Sequence, residues 1–447
     1  MSRGTTKNIN RSELVDALAA RPRTVAELAK DLGFRPDSVR RRLSALASGR
    51  FVMESPMERG AWQLGGRAGY VLAGAVGSSR INAGVFDAYT RAVAGSATRR
   101  SKLRRSDGPE PGVKAIVERT ADIMAETLDL AGDQVRAEVR AITLALPFGM
   151  DAETGQLLSD EPEENARELL HAALRERELG LDLDRMEWLW ASDVAFEGVF
   201  EHYFRPASQA GRSPLMIVKL SRNVRLALVL DGVPWHGIAG DVADLGELTT
   251  WAERPDGVIE PIKLREAVSL DRLYEEMTGR SGLSVLDEEE RTSTDTDIFN
   301  ERFKPLLQQR GEAGTTARAA MNRAGEMIGR CLDGPIAACG PAMVIITGFL
   351  SRDEQQLRDG LLSVCGHHRV AGTAIEISSG IEAELRGVVV DTENLDASLA
   401  APLEPQQLPH QYRVAAGSAK LVFEQRLRPQ LQANVAARDR AASPAER

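Results

Sequence analysis

Cysteine is close to absent from this chain: Cys331, Cys339 and Cys365 are the only three in 447 residues. They are odd in number and show no C-x-x-C spacing. Neither a disulfide framework nor a cysteine-built zinc site is expected, and a reducing compartment is. Long apolar runs are missing too, since nothing approaches the ~20 residues a membrane-spanning helix needs. The N-terminal stretch is polar and basic with no apolar segment behind it, so no secretion signal is expected and the expected location is cytoplasmic. A turn that closes on a phosphate needs glycines, which lack a Cβ, and the strand-turn-strand pattern Leu220–Gly232 carries Ser221, Asn223, Arg225 and Ala227 instead. The pair His367-His368 has no further ligand at suitable spacing in the sequence. It reads as an exposed loop pair, and no metal or other cofactor is expected.

What is present is ordinary in bulk and uneven in distribution. A chain of this length has room for two or three domains, and 43% hydrophobic with 27% charged residues is usual for a soluble globular protein. The net charge of −9 argues against a nucleic-acid partner for the chain as a whole. Residues 1–66 nevertheless hold 12 Lys/Arg against 7 Asp/Glu, a balance of +5 that leaves −14 on the remainder. A small basic head sits on a large acidic body.

The head has the order of a winged helix-turn-helix. Leu14, Val15 and Leu18 share a face of a first helix, Arg11 to Ala20. Thr24-Val25-Ala26-Glu27 is a capping-box pattern opening a second helix that ends at Asp31-Leu32-Gly33. Pro36 stands at a first-turn position of a third helix running to about Ser48. At 100° per residue, Arg41 points away from the Val39, Leu43 and Leu46 stripe, with Ser44 nearby, and Arg40 and Arg42 flank it. Phe51–Glu54 and Ala61–Leu64 read as two strands of a wing with Arg59 at its tip. Arg41 is the candidate for a guanine edge. Arg35, Arg40, Arg42 and Arg59 are candidates for phosphates, and Ser38 and Ser44 complete the expected face toward double-stranded DNA.

Beyond residue 69 the pattern turns α/β. Strands are expected at Tyr70–Gly77, Ile81–Asp87, Ile142–Leu146, Met216–Val218, Leu226–Leu230 and Met343–Ile346, with helices over 113–130, 163–178 and 315–332. The order of these pieces behind a winged head resembles the ROK family (repressors, open reading frames and kinases) over essentially the whole chain. The resemblance is carried by Ala73–Ile81, Ala145–Asp151 with Thr154-Gly155, Ser192-Asp193-Val194, Glu201, Asp231-Gly232, Gly237–Glu247, Ile346-Thr347-Gly348 and Ala416-Gly417-Ser418-Ala419. It implies a two-lobed, actin-like (ribonuclease H-like) body with a sugar cleft between the lobes. The expected division is a winged head at 1–66, a first lobe at 67–190, a second lobe at 191–432 and an unstructured tail at 433–447.

Against that resemblance the chain departs where the kinase chemistry lies. Ala75 stands where the family's kinases carry an Asp that helps hold the metal-nucleotide. The family's zinc histidine corresponds to Glu247, and Arg254–Ser269 contains no cysteine. Asp193 matches the family's catalytic base with Ser192 beside it, and a helix N-cap is its other role. Asp244 and Glu247 match the Glu-x-Gly-His segment, and a later sugar-contacting Glu falls near Arg265. Ser192, Asp193, Asp244 and Glu247 are therefore the candidate effector contacts. The expectation is a dimeric, non-phosphorylating DNA-binding regulator that senses a sugar or sugar derivative. The alternatives are an ATP-dependent sugar kinase with an accessory head, or a DNA-binding protein whose body is a ligand-free scaffold. The basic stretch 91–105 reads as a solvated loop or a second contact to the DNA backbone.

Overall fold

The computed structural model describes residues 11–56, 58–77, 80–93, 101–102, 113–147, 165–205, 213–220, 224–237, 240–241, 245–253, 258–280, 299–348, 354–370, 372–377 and 410–441. In the head, helices α1 (Arg11–Ala20), α2 (Val25–Leu32) and α3 (Pro36–Ala47) surround the buried Leu14, Leu18, Leu28, Val39, Leu43 and Leu46. Thr24 Oγ1 accepts from the Glu27 N–H at 3.2 Å, and Glu27 Oε2 accepts from the Thr24 N–H at 2.8 Å, so the capping box is complete. Gly33 ends α2 at φ 71°, a left-handed conformation that favours glycine. Strands β1 (Arg23–Thr24), β2 (Val52–Glu54) and β3 (Ala61–Leu64) form a sheet in the order β1-β3-β2. The wing thus gains a third strand from the residues that open α2.

The body contains two five-stranded sheets of one topology. The first joins β4 (Tyr70–Val76), β5 (Arg80–Phe86), β6 (Ser101–Lys102), β7 (Val139–Leu146) and β8 (Glu187–Ser192) in the order β6-β5-β4-β7-β8. The second uses β9 (Leu215–Leu220), β10 (Val224–Leu230) and β11 (Val233–Pro234). After two small ribbons, β12 (His236–Gly237) with β13 (Gly240–Asp241) and β14 (Thr249–Glu253) with β15 (Ile259–Lys263), it adds β16 (Met343–Gly348) and β17 (Ala374–Ile377). Its order, β11-β10-β9-β16-β17, repeats the first: three antiparallel strands, then two parallel ones. This is the two-lobed actin-like arrangement.

Side-chain size on alternate strand positions decides what lies on each face. Ala73, Ala75, Ala141 and Ala145 face inward, and Leu72, Val76, Ile142 and Leu144 face an outer core with α4 (Val113–Ala131) and the helix Ala166–Glu176. The small inner residues admit the helix His410–Val422 against the first sheet, where Ser418 Oγ lies 2.6 Å from Thr143 Oγ1. That helix also meets the helix Asp193–Phe204, which covers the second sheet. A Cβ at Gly417 would stand 2.0 Å from the Phe196 carbonyl, so the two inner helices approach this closely only with glycine there. The long helix Glu312–Cys339 and the helix Glu354–Cys365 cover the outer face of the second sheet.

Two expected boundaries are corrected. The segment 191–432 does not stay with the second lobe, because His410–Val422 returns to the first sheet. The tail expected to be unstructured from 433 is instead a helix, Arg428–Ala441, through its described residues. Leu427, Leu431 and Val435 lie at four-residue steps, so its few apolar side chains form one buried stripe, and the helix packs against α1. Its alanines and arginines favour helix. Arg428 reaches Asp16 at 3.1 Å, and Arg438 reaches Ser48 Oγ at 3.1 Å.

Candidate nucleic-acid interface and inter-lobe site

The expected DNA face is built on α3. Val39, Leu43 and Leu46 bury the opposite side completely, leaving Arg40, Arg41 and Ser44 exposed. Arg41 has no ion-pair partner among the described residues. Arg40 pairs with Asp37 one turn away at 2.9 Å, and Ser44 Oγ donates to the Arg40 carbonyl. Arg35 is the extended residue before the helix and is exposed. Ser38 and Arg42 are half-buried at the margins of the face. Arg59 is exposed in the turn between β2 and β3, beside Gly60 at φ 77°. One helix and one wing tip therefore carry all seven candidate residues.

The head is held to the body by groups the sequence did not single out. The Tyr89 hydroxyl donates to the Leu18 carbonyl of α1 at 2.9 Å and accepts from the Leu64 N–H of β3 at 2.8 Å. Arg91 is buried, pairs with Asp87 at 2.7 Å and donates to Gln63 at 3.2 Å. That excludes Arg91 from the DNA contact considered for the 91–105 stretch; Arg99, Arg100, Arg104 and Arg105 lie outside the described residues. Arg50 pairs with Glu138 across the same joint, above a cavity of about 450 Å³ lined by Trp62, Tyr70 and Tyr89 among others. Thr90, between Tyr89 and Arg91, is buried at φ 65°, a strained conformation for a β-branched residue. The local signal was Asp87-Ala88-Tyr89-Thr90-Arg91, whose polar residues alternate after a strand, and nothing in it names a partner 71 residues away.

The inter-lobe site centres on Asp193. Ser192, not Asp193, is the N-cap: its Oγ accepts from the Ala195 N–H at 3.3 Å. Asp193 is the first residue of the helix and is turned toward the second sheet. Its Oδ1 takes Arg225 at 2.8 Å and the Val194 N–H at 3.0 Å, and its Oδ2 takes Lys219 at 2.8 Å. Lys219 and Arg225 are directly opposite each other on β9 and β10, both on the inner face. Arg225 thus lies in a strand rather than in the tight turn assigned to it, and its guanidinium is committed to Asp193. Burial alone would raise the Asp193 carboxyl, but Arg225 and Lys219 hold it below its ordinary value. Burial likewise opposes the Lys219 charge, and Asp193 with Glu197 raises its pKa above the ordinary value.

Four-residue spacing extends this arrangement along the same helix face. Glu197 lies 3.1 Å from Lys219, and Glu201 joins Arg205 at 2.7 Å and the buried Arg413 at 3.4 Å. Arg205 reaches Glu376 of β17 at 2.8 Å. A carboxylate with both oxygens in ion pairs is a weak proton acceptor for a sugar hydroxyl. Glu247 is exposed and paired with Arg265 and Lys263, sharing no partner with Asp193. Asp244 and the turn residues Ser221–Asn223 lie outside the described residues. Ala75 is buried in β4 opposite Asn82.

No family model and no curated protein sequence matches this chain. Solved structures do match. A ROK family transcriptional regulator, a homologue of the E. coli MLC protein, superposes with a TM-score of 0.58 at 14% identity, over 95% of this chain and 98% of that one. The fold is the ROK fold. A ROK family glucokinase from Streptomyces griseus, solved with glucose and AMPPNP, matches with a TM-score of 0.51 at 15% identity, over 79% of this chain and 99% of that one. ROK architecture therefore embraces both a regulator and a kinase among its matches. No helix among the described residues is long and apolar enough to cross a membrane.

Proposed function

We propose that this chain is a DNA-binding transcriptional regulator on a ROK-type body that does not phosphorylate. The observation that carries the reading is the uncovered arginine face of α3 on a head that α1 and β3 join to the body. Arg41 would read a base edge, while Arg35, Arg40, Arg42 and Arg59 with Ser38 and Ser44 hold the backbone. The body would dimerise, because two recognition helices on a palindrome reach an affinity that one rarely does. A head fixed through Tyr89 and the last helix makes half-site spacing a property of the dimer. A sugar-type effector at Ser192, Asp193, Asp244 and Glu247 would act by favouring one such spacing. Loss of kinase chemistry is supported by Ala75, by the glycine-poor hairpin and by the cations committed to Asp193.

A second reading, a body that binds no small ligand and serves as a scaffold, is favoured by those same ion pairs, since a sugar must displace Arg225 or Lys219 to reach the carboxylate. Electrophoretic shifts against genomic fragments test the regulator. Preferential binding to some fragments is expected, and binding no better than to random DNA, with or without sugars, would end the reading. Calorimetry against a sugar panel separates sensor from scaffold, and the absence of ATP turnover with the same sugars checks the loss of kinase activity.

A further inference from the structure

His367 and His368 do not form a lone loop pair. They open the short helix His367–Val370, and the fold brings Asp333 of the Glu312–Cys339 helix to them. Asp333 Oδ1 lies 2.9 Å from His368 Nε2 and 3.3 Å from His367 Nε2, and the three ligand atoms all fall within 4.8 Å of one another. Asp333 is more than thirty positions away along the chain, so no local spacing joins it to the pair.

We propose that Asp333, His367 and His368 bind a divalent transition-metal ion of the Zn²⁺ type. Ligands about 2.0–2.1 Å from a tetrahedral zinc stand roughly 3.3 Å apart, the separation of Asp333 Oδ1 from His367 Nε2. Two imidazoles and a carboxylate form a donor set suited to such ions and poorly suited to Ca²⁺ or Mg²⁺. The ring orientation supplies an independent argument. His367 Nδ1 is 2.9 Å from the Val364 carbonyl, and a carbonyl oxygen only accepts, so Nδ1 carries the hydrogen. Nε2 is then the ring nitrogen that faces Asp333 Oδ1 at 3.3 Å, and it is the atom a metal ion would take. A backbone carbonyl fixing the second ring nitrogen is also how metal-ligating histidines are generally oriented.

The neighbouring Cys365 is buried and its Sγ donates to the Gly329 carbonyl at 3.0 Å, which turns it away from the set. His368 is nearly buried, whereas His367 and Asp333 reach solvent, so the ion keeps coordination positions open to water. It would tie the end of the long helix to the segment leading into β17.

The test is titration of the metal-stripped full chain with Zn²⁺ against a chromophoric chelator, with Co²⁺ as a spectroscopic substitute. One equivalent of Zn²⁺ per chain is expected, weakened at least tenfold in the exposed variant His367→Ala and lost in His367→Ala/His368→Ala. The Co²⁺ complex should show d–d bands without thiolate charge transfer, and Zn²⁺ should raise Tm in wild type but not in His367→Ala. No Zn²⁺ bound, binding unchanged in His367→Ala, or a thiolate band from Cys339 would each overturn the proposal. Circular dichroism of His367→Ala, whose side chain lies at the surface, verifies that any loss of binding is not a loss of fold.

Discussion

Lys219 and Arg225 face each other across neighbouring antiparallel strands, where like charges repel unless an acid stands over both. Asp193 is that acid, and its helix position, one residue past the N-cap, brings it there. Removing its charge leaves Arg225 unpaired and Lys219 with Glu197 alone, so Asp193→Asn should cost about 3 kcal/mol of stability, measured by the urea unfolding midpoint. A residue kept as a proton acceptor would instead change turnover at constant stability. At the other end of the molecule, Arg41→Ala should weaken specific DNA binding by about 1–3 kcal/mol and relax preference at one base pair, read by competition shifts with single-base operator variants. Arg35→Ala should weaken all sequences alike and reduce the salt dependence of log affinity by roughly one unit.

Among the elements, the last helix and the Asp87–Arg91 turn decide how the head is carried. Leu431 belongs to a continuous core running from the head through the space between the sheets, so Leu431→Ala should cost about 2–5 kcal/mol, seen in chemical denaturation. Tyr89→Phe removes the acceptor of the buried Leu64 N–H and the donor to Leu18. Its expected cost is about 1–3 kcal/mol, with hydrogen exchange rising in α1 and β3 before the rest of the body. These elements also mark the limit of sequence patterning. The capping box at Thr24–Glu27 and the apolar seam of α3 are local and were legible. The 428–441 segment was not, because Leu431 and Val435 in a polar, alanine-rich stretch acquire meaning only from the surface they meet.

For the whole molecule, two groups of ion pairs, one around Asp193 and one around Glu424, define a pH window. Asp193 and Glu424 have folded pKa values held below their ordinary 3.8 and 4.5; burial opposes this in both, and Arg225 with Lys219, and Lys420 with Arg428, outweigh it. Their stabilisation is present above those ordinary values and is lost as pH falls through the lower folded ones. Lys219 has the opposite sign: its folded pKa lies above 10.5, so its contribution is complete below that pH and lost as pH rises through the folded value. Stability from this network should be flat from about pH 5 to pH 10 and fall on both sides, with the acid limb reduced in Asp193→Asn. Urea midpoints across that range check it.

Sequence alone determined the winged order of the head, its basic charge and the α/β character of the body. Each of these follows from spacing within a few residues or from residue type. Tertiary structure decided what those residues do. It showed two sheets of one topology where no repeat of letters exists, because backbone pairing is conserved in geometry rather than in side chains. It turned Arg225 onto Asp193, seated the last helix on α1, and brought Asp333 to His367 and His368. All of these are contacts between residues far apart along the chain, and their energy depends on burial and distance that no local pattern encodes.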